Sequence, residues 1–196
     1  MIYPMPRLTA TEVTPAIASR QGLVEPPPYE LKHGGQRSRT RFGVLHMTAG
    51  GSALSSLKHL HSVGLSYHYV IERDGVIYRG TPSNLIAYHA GESAWPGSAG
   101  GSLNPESLGV CLANWNGSGG RREEVSEAQY LSAVWLCAVL AEQYRVPADR
   151  WLGHLEVSPG RKTDPDVEVF SMAAYRSDLT LELYRRRRDG IAGALP

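Results

Sequence analysis

The sequence is poor in cysteine, in net charge and in long apolar runs, and each shortage limits what the protein can be. Cys111 and Cys137 are the two cysteines of the 196-residue chain. Both lie inside apolar runs, where a free cysteine behaves as a small hydrophobic residue, so we expect both to be reduced. The formal net charge of +1 gives no general reason to expect a nucleic-acid partner. No segment reaches the roughly 18 apolar residues of a membrane span, so no membrane insertion is expected.

The amino-terminal segment lacks both a signal-peptide pattern and a regular periodicity. Residues 1–7 contain no apolar region of secretory length, which predicts a protein made and kept in the cytoplasm unless something else releases it. Residues 1–38 hold a run of three prolines and a Gly-Gly pair, so we predict an extended arm laid over the domain. Residues 39–188 are then expected to form one domain of a monomer, followed by a short tail at 189–196.

Strand-like and helix-like patterns alternate along the rest of the chain. Short apolar or alternating runs predict strands, and apolar residues at helical spacing predict helices. The predicted strands cover residues 41–46, 66–73, 76–80, 107–115 and 151–154, and the predicted helices cover residues 55–63, 126–144 and 170–187. This mixture predicts a single-domain α/β fold, with a central mixed β-sheet flanked by helices.

Local signals add detail to these elements. Asp74-Gly75 predicts a hairpin, in whose first strand Tyr67 and Tyr69 would share a face. Ser126 and Gln129 predict a capping box at the start of the long helix. The apolar face of the last helix is predicted to carry Phe170, Ala173, Ala174, Leu181 and Tyr184.

Two histidines and one aspartate have the character of metal ligands. His46 and His154 each end a predicted strand, and Asp164 follows His154 in a loop rich in Pro and Gly. A hydrolytic zinc site needs three ligands of N, O or S type and one open position. These residues suit such a set, although each one alone is as readily explained as a hydrogen-bonded or surface residue.

Five short motifs follow one another in a recognisable order. They occupy residues 45–50, 67–75, 89–91, 107–110 and 153–165. With these motifs the chain resembles, over about residues 40 to 180, the type-2 N-acetylmuramoyl-L-alanine amidase family. That family includes small phage endolysins, cytosolic amidases that recycle anhydromuropeptides, and animal peptidoglycan recognition proteins. The most specific motif is the last, which has His154, Lys162 and Asp164 at the family spacing.

The resemblance implies a fold, a reaction and a set of roles. The implied fold is that of the amidases and peptidoglycan recognition proteins. Residues 39–188 would then form a zinc amidase catalytic domain. The reaction is zinc-dependent hydrolysis of the amide between N-acetylmuramic acid and L-alanine in peptidoglycan or a muropeptide. The implied roles are Zn²⁺ ligands for His46, His154 and Asp164, catalytic assistance for Tyr67 and Lys162, and a place in the substrate groove for His89.

The chemistry of the two catalytic residues is consistent with these roles. Lys162 is tethered two residues from a ligand, where an ammonium group can stabilise the oxyanion that forms on the amide carbonyl. Tyr67 can position the attacking water or shuttle its proton.

One departure from the family pattern bears on biology. The recycling amidases carry a glutamate general base where this chain has Cys111, directly after Leu108-Gly109-Val110. In this respect the chain is similar to the small phage amidases. We therefore favour a phage-type endolysin that is made in the cytoplasm and acts on the cell wall after release. A recycling amidase remains an alternative. So does a non-catalytic peptidoglycan-binding module, which is disfavoured because all three ligand positions are filled.

Overall fold

The computed structural model describes residues 23–24, 30–116 and 118–191, and this part of the chain folds as one α/β domain. The strands are β1 (Leu23–Val24), β2 (His33–Gln36), β3 (Phe42–Met47), β4 (Tyr69–Ile71), β5 (Ile77–Arg79), β6 (Leu85–Ala87), β7 (Ser107–Leu112) and β8 (Trp151–Gly153). The α-helices are α1 (Ala53–Val63), α2 (Glu127–Tyr144), α3 (His154–Val157) and α4 (Met172–Arg188). Short 3₁₀ turns occupy Asn104–Glu106, Ser118–Gly120 and Ala148–Arg150.

The main sheet is mixed, as the sequence predicts. Its strand order over the described residues is β1-β5-β4-β7-β3-β8. The four strands β4, β7, β3 and β8 run parallel, whereas β5 is antiparallel to β4 in the predicted hairpin. Strands β2 and β6 form a separate antiparallel pair. Since β3 lies between two parallel neighbours, the residues at its carboxyl end meet residues from both.

Helices cover both faces of this sheet. On one face α2 and α4 pack over a core that includes Leu45 and Val110. On the other face Leu57 of α1 packs with Val70 and Cys111. Every residue of β3 and β7 is buried, as expected for parallel strands covered on both sides.

The long helix begins where its capping signal predicts, but half of the capping box is wrong. The Ser126 side chain accepts a hydrogen bond from the backbone N–H of Gln129. The Gln129 side chain does not return to Ser126, because it donates to the carbonyl of Ile71 at 2.8 Å. It therefore ties α2 to the central sheet instead of closing the helix end.

The predicted face of the last helix holds for Phe170, which is buried just before α4, and is wrong further along the helix. Leu181 and Tyr184 are 55% and 66% exposed. The buried face instead contains Glu182 and Arg186, and Arg186 Nε lies 2.9 Å from a carboxylate oxygen of Glu142 on α2. A pattern of apolar residues cannot show this face, because two of its buried positions are charged residues in ion pairs.

One further prediction concerns Tyr67, just before β4. Tyr67 precedes β4 and packs on the same side of the sheet as Val70, so the predicted alternation with Tyr69 is wrong.

Most of the predicted arm, residues 1–22 and 25–29, lies outside the described residues, as do residues 192–196 of the predicted tail. The described parts of the arm form β1 and β2. No helix in the described part of the chain has the length and apolarity to cross a bilayer.

Candidate metal centre

The strand register brings the two predicted histidine ligands together. Leu45 in β3 pairs with Gly153 in the adjacent parallel strand β8. The next residues, His46 and His154, therefore emerge side by side at the carboxyl edge of the sheet. The loop that carries Asp164 is held at the same edge. The backbone carbonyl of Asp164 accepts a hydrogen bond of 2.7 Å from the backbone N–H of Leu155, the residue after His154.

A directed chain of hydrogen bonds determines which ring nitrogen of His46 carries the proton. The Ser107 hydroxyl donates to the Leu103 carbonyl at 2.7 Å, so its oxygen accepts from His89 Nε2 at 3.2 Å. His89 Nδ1 is then an acceptor, and it lies 3.0 Å from His46 Nε2. Neutral His46 accordingly has its proton on Nε2 and a bare lone pair on Nδ1.

His154 is oriented in the same way by a different partner. Its Nε2 lies 3.1 Å from the Ala90 carbonyl oxygen, which only accepts, so Nε2 carries the proton. The two Nδ1 atoms of His46 and His154 are 3.0 Å apart. Carboxylate oxygens of Asp164 lie 3.1 Å from His154 Nδ1 and 3.3 Å from His46 Nδ1. Three electron-pair donors that face one another this closely repel unless a cation lies among them.

The donor set fits a zinc ion. Two nitrogens bound to zinc at about 2.0–2.1 Å with tetrahedral angles lie roughly 3.3 Å apart, and the separations here are 3.0 to 3.3 Å. Two imidazoles and a carboxylate are also donor types that zinc takes in catalytic sites. The structure therefore brings together all three residues predicted as ligands, and all three are buried.

Burial and the neighbouring charges keep His46 and Asp164 in protonation states that suit ligation. Burial lowers the pKa of His46 to about 4, so the ring is neutral at pH 7. Burial also lowers the pKa of His89 well below its ordinary value. For Asp164, burial alone would raise the pKa, but the adjacent His154 and His46 rings outweigh burial and the pKa is lowered. Metal binding requires neutral imidazoles and an ionised carboxylate.

The site opens into a groove of about 550 Å³. His154 and Asp164 border the groove, and α1 contributes Ser55, Ser56 and His59 to its wall. His59, which the sequence does not single out, thus faces the groove. Among the described residues that line it, Asp164 is the sole carboxylate. The groove therefore offers no second acidic group as a general base.

The two predicted catalytic residues lie in this groove. The ring of Tyr67 is 4.8 Å from the ring of His46, and Tyr67 packs against the apolar cluster that contains Cys111. Burial, followed by the effect of Cys111, raises the pKa of Tyr67 well above its ordinary value, so the hydroxyl keeps its proton at pH 7. Lys162 lines the groove next to Asp164, and its charge contributes to the low pKa of His46.

Cys111 lies opposite His46 in the register of β7 and β3. Its thiol is fully buried, and burial raises its pKa well above the ordinary value. A protonated, inaccessible thiol is neither a nucleophile nor a base. Cys111 therefore acts on the site through its contact with Tyr67.

His89 borders the groove, but both of its ring nitrogens are engaged inside the protein. Its place in the groove matches the prediction, whereas its hydrogen bond to His46 was not foreseen. Sequence reasoning also missed Ser107 and the carbonyl of Ala90, which orient the two histidines. The available signals were the motifs at residues 89–91 and 107–110, because the first contains His89 and Ala90 and the second begins with Ser107.

His68 is a second buried histidine near the site. Its Nδ1 accepts from the backbone N–H of Gly109 at 2.8 Å, and its Nε2 lies 3.1 Å from the Leu85 carbonyl. Burial, followed by the nearby Arg37 cation, lowers the pKa of His68 to about 3. His68 is therefore a neutral structural link between β7 and β6.

Comparison with known proteins assigns the chain to a family. The profile of the N-acetylmuramoyl-L-alanine amidases, Amidase_2, matches residues 36–167. N-acetylmuramoyl-L-alanine amidase AmiD of Escherichia coli (strain K12) is 30% identical in an alignment of 163 residues that covers 76% of this chain and 58% of AmiD. The 1,6-anhydro-N-acetylmuramyl-L-alanine amidase AmpD of Haemophilus influenzae is 31% identical over 121 residues, 61% of each chain. The chain belongs to the N-acetylmuramoyl-L-alanine amidase family, and it spans about three fifths of the length of these relatives.

A solved structure confirms the predicted fold. The complex of E. coli AmiD with its substrate anhydro-N-acetylmuramic acid-L-Ala-D-γ-Glu-L-Lys superposes with a TM-score of 0.63. The match covers 86% of this chain and 68% of that chain at 24% identity. At this identity the likeness establishes the architecture, and the chemistry must be argued from the residues.

Proposed function

We propose that this protein is a zinc-dependent amidase that hydrolyses the bond between N-acetylmuramic acid and L-alanine in peptidoglycan or its fragments. The observation that carries the proposal is the tautomer pattern. Two separate hydrogen-bond systems leave bare Nδ1 lone pairs on His46 and His154, directed at the Asp164 carboxylate. Family membership supplies the substrate class, because the names of AmiD and AmpD specify this amide.

In this proposal His46, His154 and Asp164 hold the metal. A bound zinc ion supplies Lewis-acid chemistry that polarises an amide carbonyl and lowers the pKa of water. His89 and Ala90 keep the ligand tautomers in place, since metal-binding histidines depend on the partner of their other nitrogen.

Lys162 is the residue that we propose to stabilise the developing oxyanion. Attack on the amide carbonyl places negative charge on its oxygen, and a preorganised cation near that position lowers the barrier. Lys162 lines the groove together with Asp164. Removal of such a donor typically lowers the rate on the order of a hundredfold or more.

Tyr67 is the residue that we propose to orient the attacking water. Because its pKa is raised, it acts as a neutral hydroxyl, able both to donate and to accept, rather than as a tyrosinate base. Its packing against the cluster that contains Cys111 holds the side chain beside His46. This function needs no carboxylate at position 111.

The form of the substrate is the finer part of the proposal. We propose an endolysin that cuts the polymer, supported by Cys111 at the position of the recycling glutamate. The two relatives do not support this part, because neither AmiD nor AmpD is named an endolysin. A purely binding module would have no need for three convergent donors, so we favour turnover.

The test combines metal analysis with identification of the bond cut. The full chain is incubated with intact sacculi and, separately, with soluble anhydromuropeptides, and the products are identified by mass spectrometry. We expect about one zinc per chain, peptides with a free L-alanine amino group from sacculi, and loss of activity with a chelator that added zinc reverses. Faster cleavage of the soluble fragments would instead support the recycling role.

His154→Ala is the diagnostic variant, and it should lose zinc and activity together. His61→Ala is a matched control, because His61 is an exposed histidine of α1 that does not line this groove. Full activity of His154→Ala would contradict the proposed reaction. Zinc binding by the wild type without cleavage of either substrate would favour the binding module.

A further inference from the structure

Arg161 ties together the two segments on either side of His154. Its Nη2 lies 2.7 and 2.6 Å from the carbonyl oxygens of Ala90 and Glu92 and 2.8 Å from the hydroxyl of Ser158, so its two hydrogens are shared among three acceptors. Its Nε lies 3.2 Å from the same Glu92 carbonyl. The side chain is exposed, yet its guanidinium is held by four hydrogen bonds. This geometry is that of a structural clamp rather than of a mobile surface cation.

The carbonyl of Ala90 is shared between Arg161 and His154. It accepts from Arg161 Nη2 at 2.7 Å and from His154 Nε2 at 3.1 Å. A carbonyl oxygen has two lone pairs, so it can accept both hydrogen bonds at once. The bond to His154 is the one that leaves the Nδ1 lone pair facing Asp164.

The chain around Ala90 is shaped to receive this side chain. The backbone N–H of Ala90 donates to Asn104 Oδ1 at 2.8 Å, which fixes the amide side of the residue. Gly91 follows with a φ of +56°, a conformation that L-residues rarely adopt. A Cβ on Gly91 would lie 3.3 Å from Arg161 Nη2. The turn therefore leaves room for the guanidinium beside the carbonyl that it holds.

We propose that Arg161 is a positioning residue for the metal centre. By holding the Ala90 carbonyl, it keeps His154 in the Nε2–H tautomer with Nδ1 directed at Asp164. This inference rests on the proposed function only in taking zinc as the metal. The hydrogen bonds recorded for the guanidinium go to Ala90, Glu92 and Ser158, none of which is a proposed metal ligand.

Two other roles for Arg161 predict different results. A cation that acts only through its charge would repel a metal cation, so Arg161→Gln would bind zinc more tightly. An arginine that only binds substrate would change KM and leave zinc affinity unaltered. A positioning residue predicts weaker zinc binding for Arg161→Gln and also for Arg161→Lys, because one ammonium cannot reproduce the forked contacts.

The experiment measures zinc affinity of the full metal-free chain by competition with a chromophoric chelator. We expect Arg161→Lys and Arg161→Gln to bind zinc roughly tenfold more weakly, the low end of the range for outer-sphere partners of metal ligands. Arg187→Lys and Arg187→Gln are matched controls, because Arg187 is exposed on α4. A second measurement, ¹⁵N NMR of the imidazole rings, should show the Nε2–H form of His154 in the wild type and a mixture of tautomers in both Arg161 variants.

The outcomes separate this inference from the proposed function. A wild type that binds no zinc would contradict the proposed function itself. A wild type that binds zinc, with Arg161→Lys equal to it or Arg161→Gln tighter, would overturn the positioning role alone. If either Arg161 variant fails to fold, Gly91→Ala provides the same test, because it leaves arginine in place but crowds Nη2 and should also weaken zinc binding. Unchanged zinc affinity in a folded Gly91→Ala would likewise overturn the role.

Discussion

Gly109→Ala tests whether packing behind His89 determines the geometry of the metal centre. A Cβ on Gly109 would lie 2.5 Å from Cγ of His89, about 1 Å less than an ordinary carbon contact. Rotation of the imidazole about its bond to Cβ cannot relieve this overlap, because Cγ lies on the rotation axis. His89 is 8% exposed and bonded at both ring nitrogens, so it has little freedom to move.

The expected magnitudes follow from that overlap. Overpacking of a buried site typically costs about 1–3 kcal/mol, and we expect Gly109→Ala near the upper end. A shift of His89 by about 1 Å would stretch its 3.0 Å bond with His46 beyond hydrogen-bonding distance. Zinc affinity should then fall by roughly tenfold, as for other losses of an outer-sphere partner.

The assay is urea unfolding of the metal-free protein, combined with zinc titration. Gly51→Ala is the control, because a Cβ there meets nothing within 4 Å. In a His89→Ala background the clash disappears, so Gly109→Ala should cost little and the double-mutant coupling should be about 1–3 kcal/mol. An equal cost in both backgrounds, or a cost below about 0.5 kcal/mol in the wild type, would refute the packing argument.

The remaining predictions concern catalysis and pH. Lys162→Ala and Tyr67→Phe should keep zinc and lose most activity, Lys162→Ala on the order of a hundredfold in kcat; loss of the metal in either would contradict its assigned role. The pKa of His68, about 3 when folded, lies below its unfolded value of about 6.5. Its stabilising contribution is therefore complete above pH 6.5 and is lost as the pH falls towards 3, by at most about 1.4 kcal/mol per pH unit. His68→Gln should flatten the pH dependence of urea unfolding of the metal-free protein, and an unchanged slope would count against this.

The convergence of His46, His154 and Asp164 could be predicted from the sequence because each residue lies next to a strong local signal. His46 and His154 follow short apolar runs, and adjacent parallel strands place such residues at one edge of the sheet. The loop of Asp164 contains the most specific motif of the chain. The structure confirms the predicted α/β fold and the start of α2 at its Ser126 cap.

The features that the sequence did not predict depend on contacts between segments that are far apart in the sequence. The partners of His89, namely His46 and Ser107, are set by the strand order, which local patterns do not contain. The buried face of α4 was missed because Arg186 is neutralised by Glu142 from another helix. Both errors concern polar groups whose burial is possible only through a partner far away in sequence.

The register between β3 and β8 has a consequence for how the chain tolerates insertions and deletions. His46 and His154 are 108 positions apart, yet their relative placement depends on the pairing of Leu45 with Gly153. Loops between the two strands, other than the segment of His89 and Ala90 that contacts the histidines, can therefore change in length without disturbing the ligands. One residue added inside β3 or β8 would turn the histidine to the opposite face of the sheet. Natural variation in length should accordingly be found in those loops and be absent from β3 and β8.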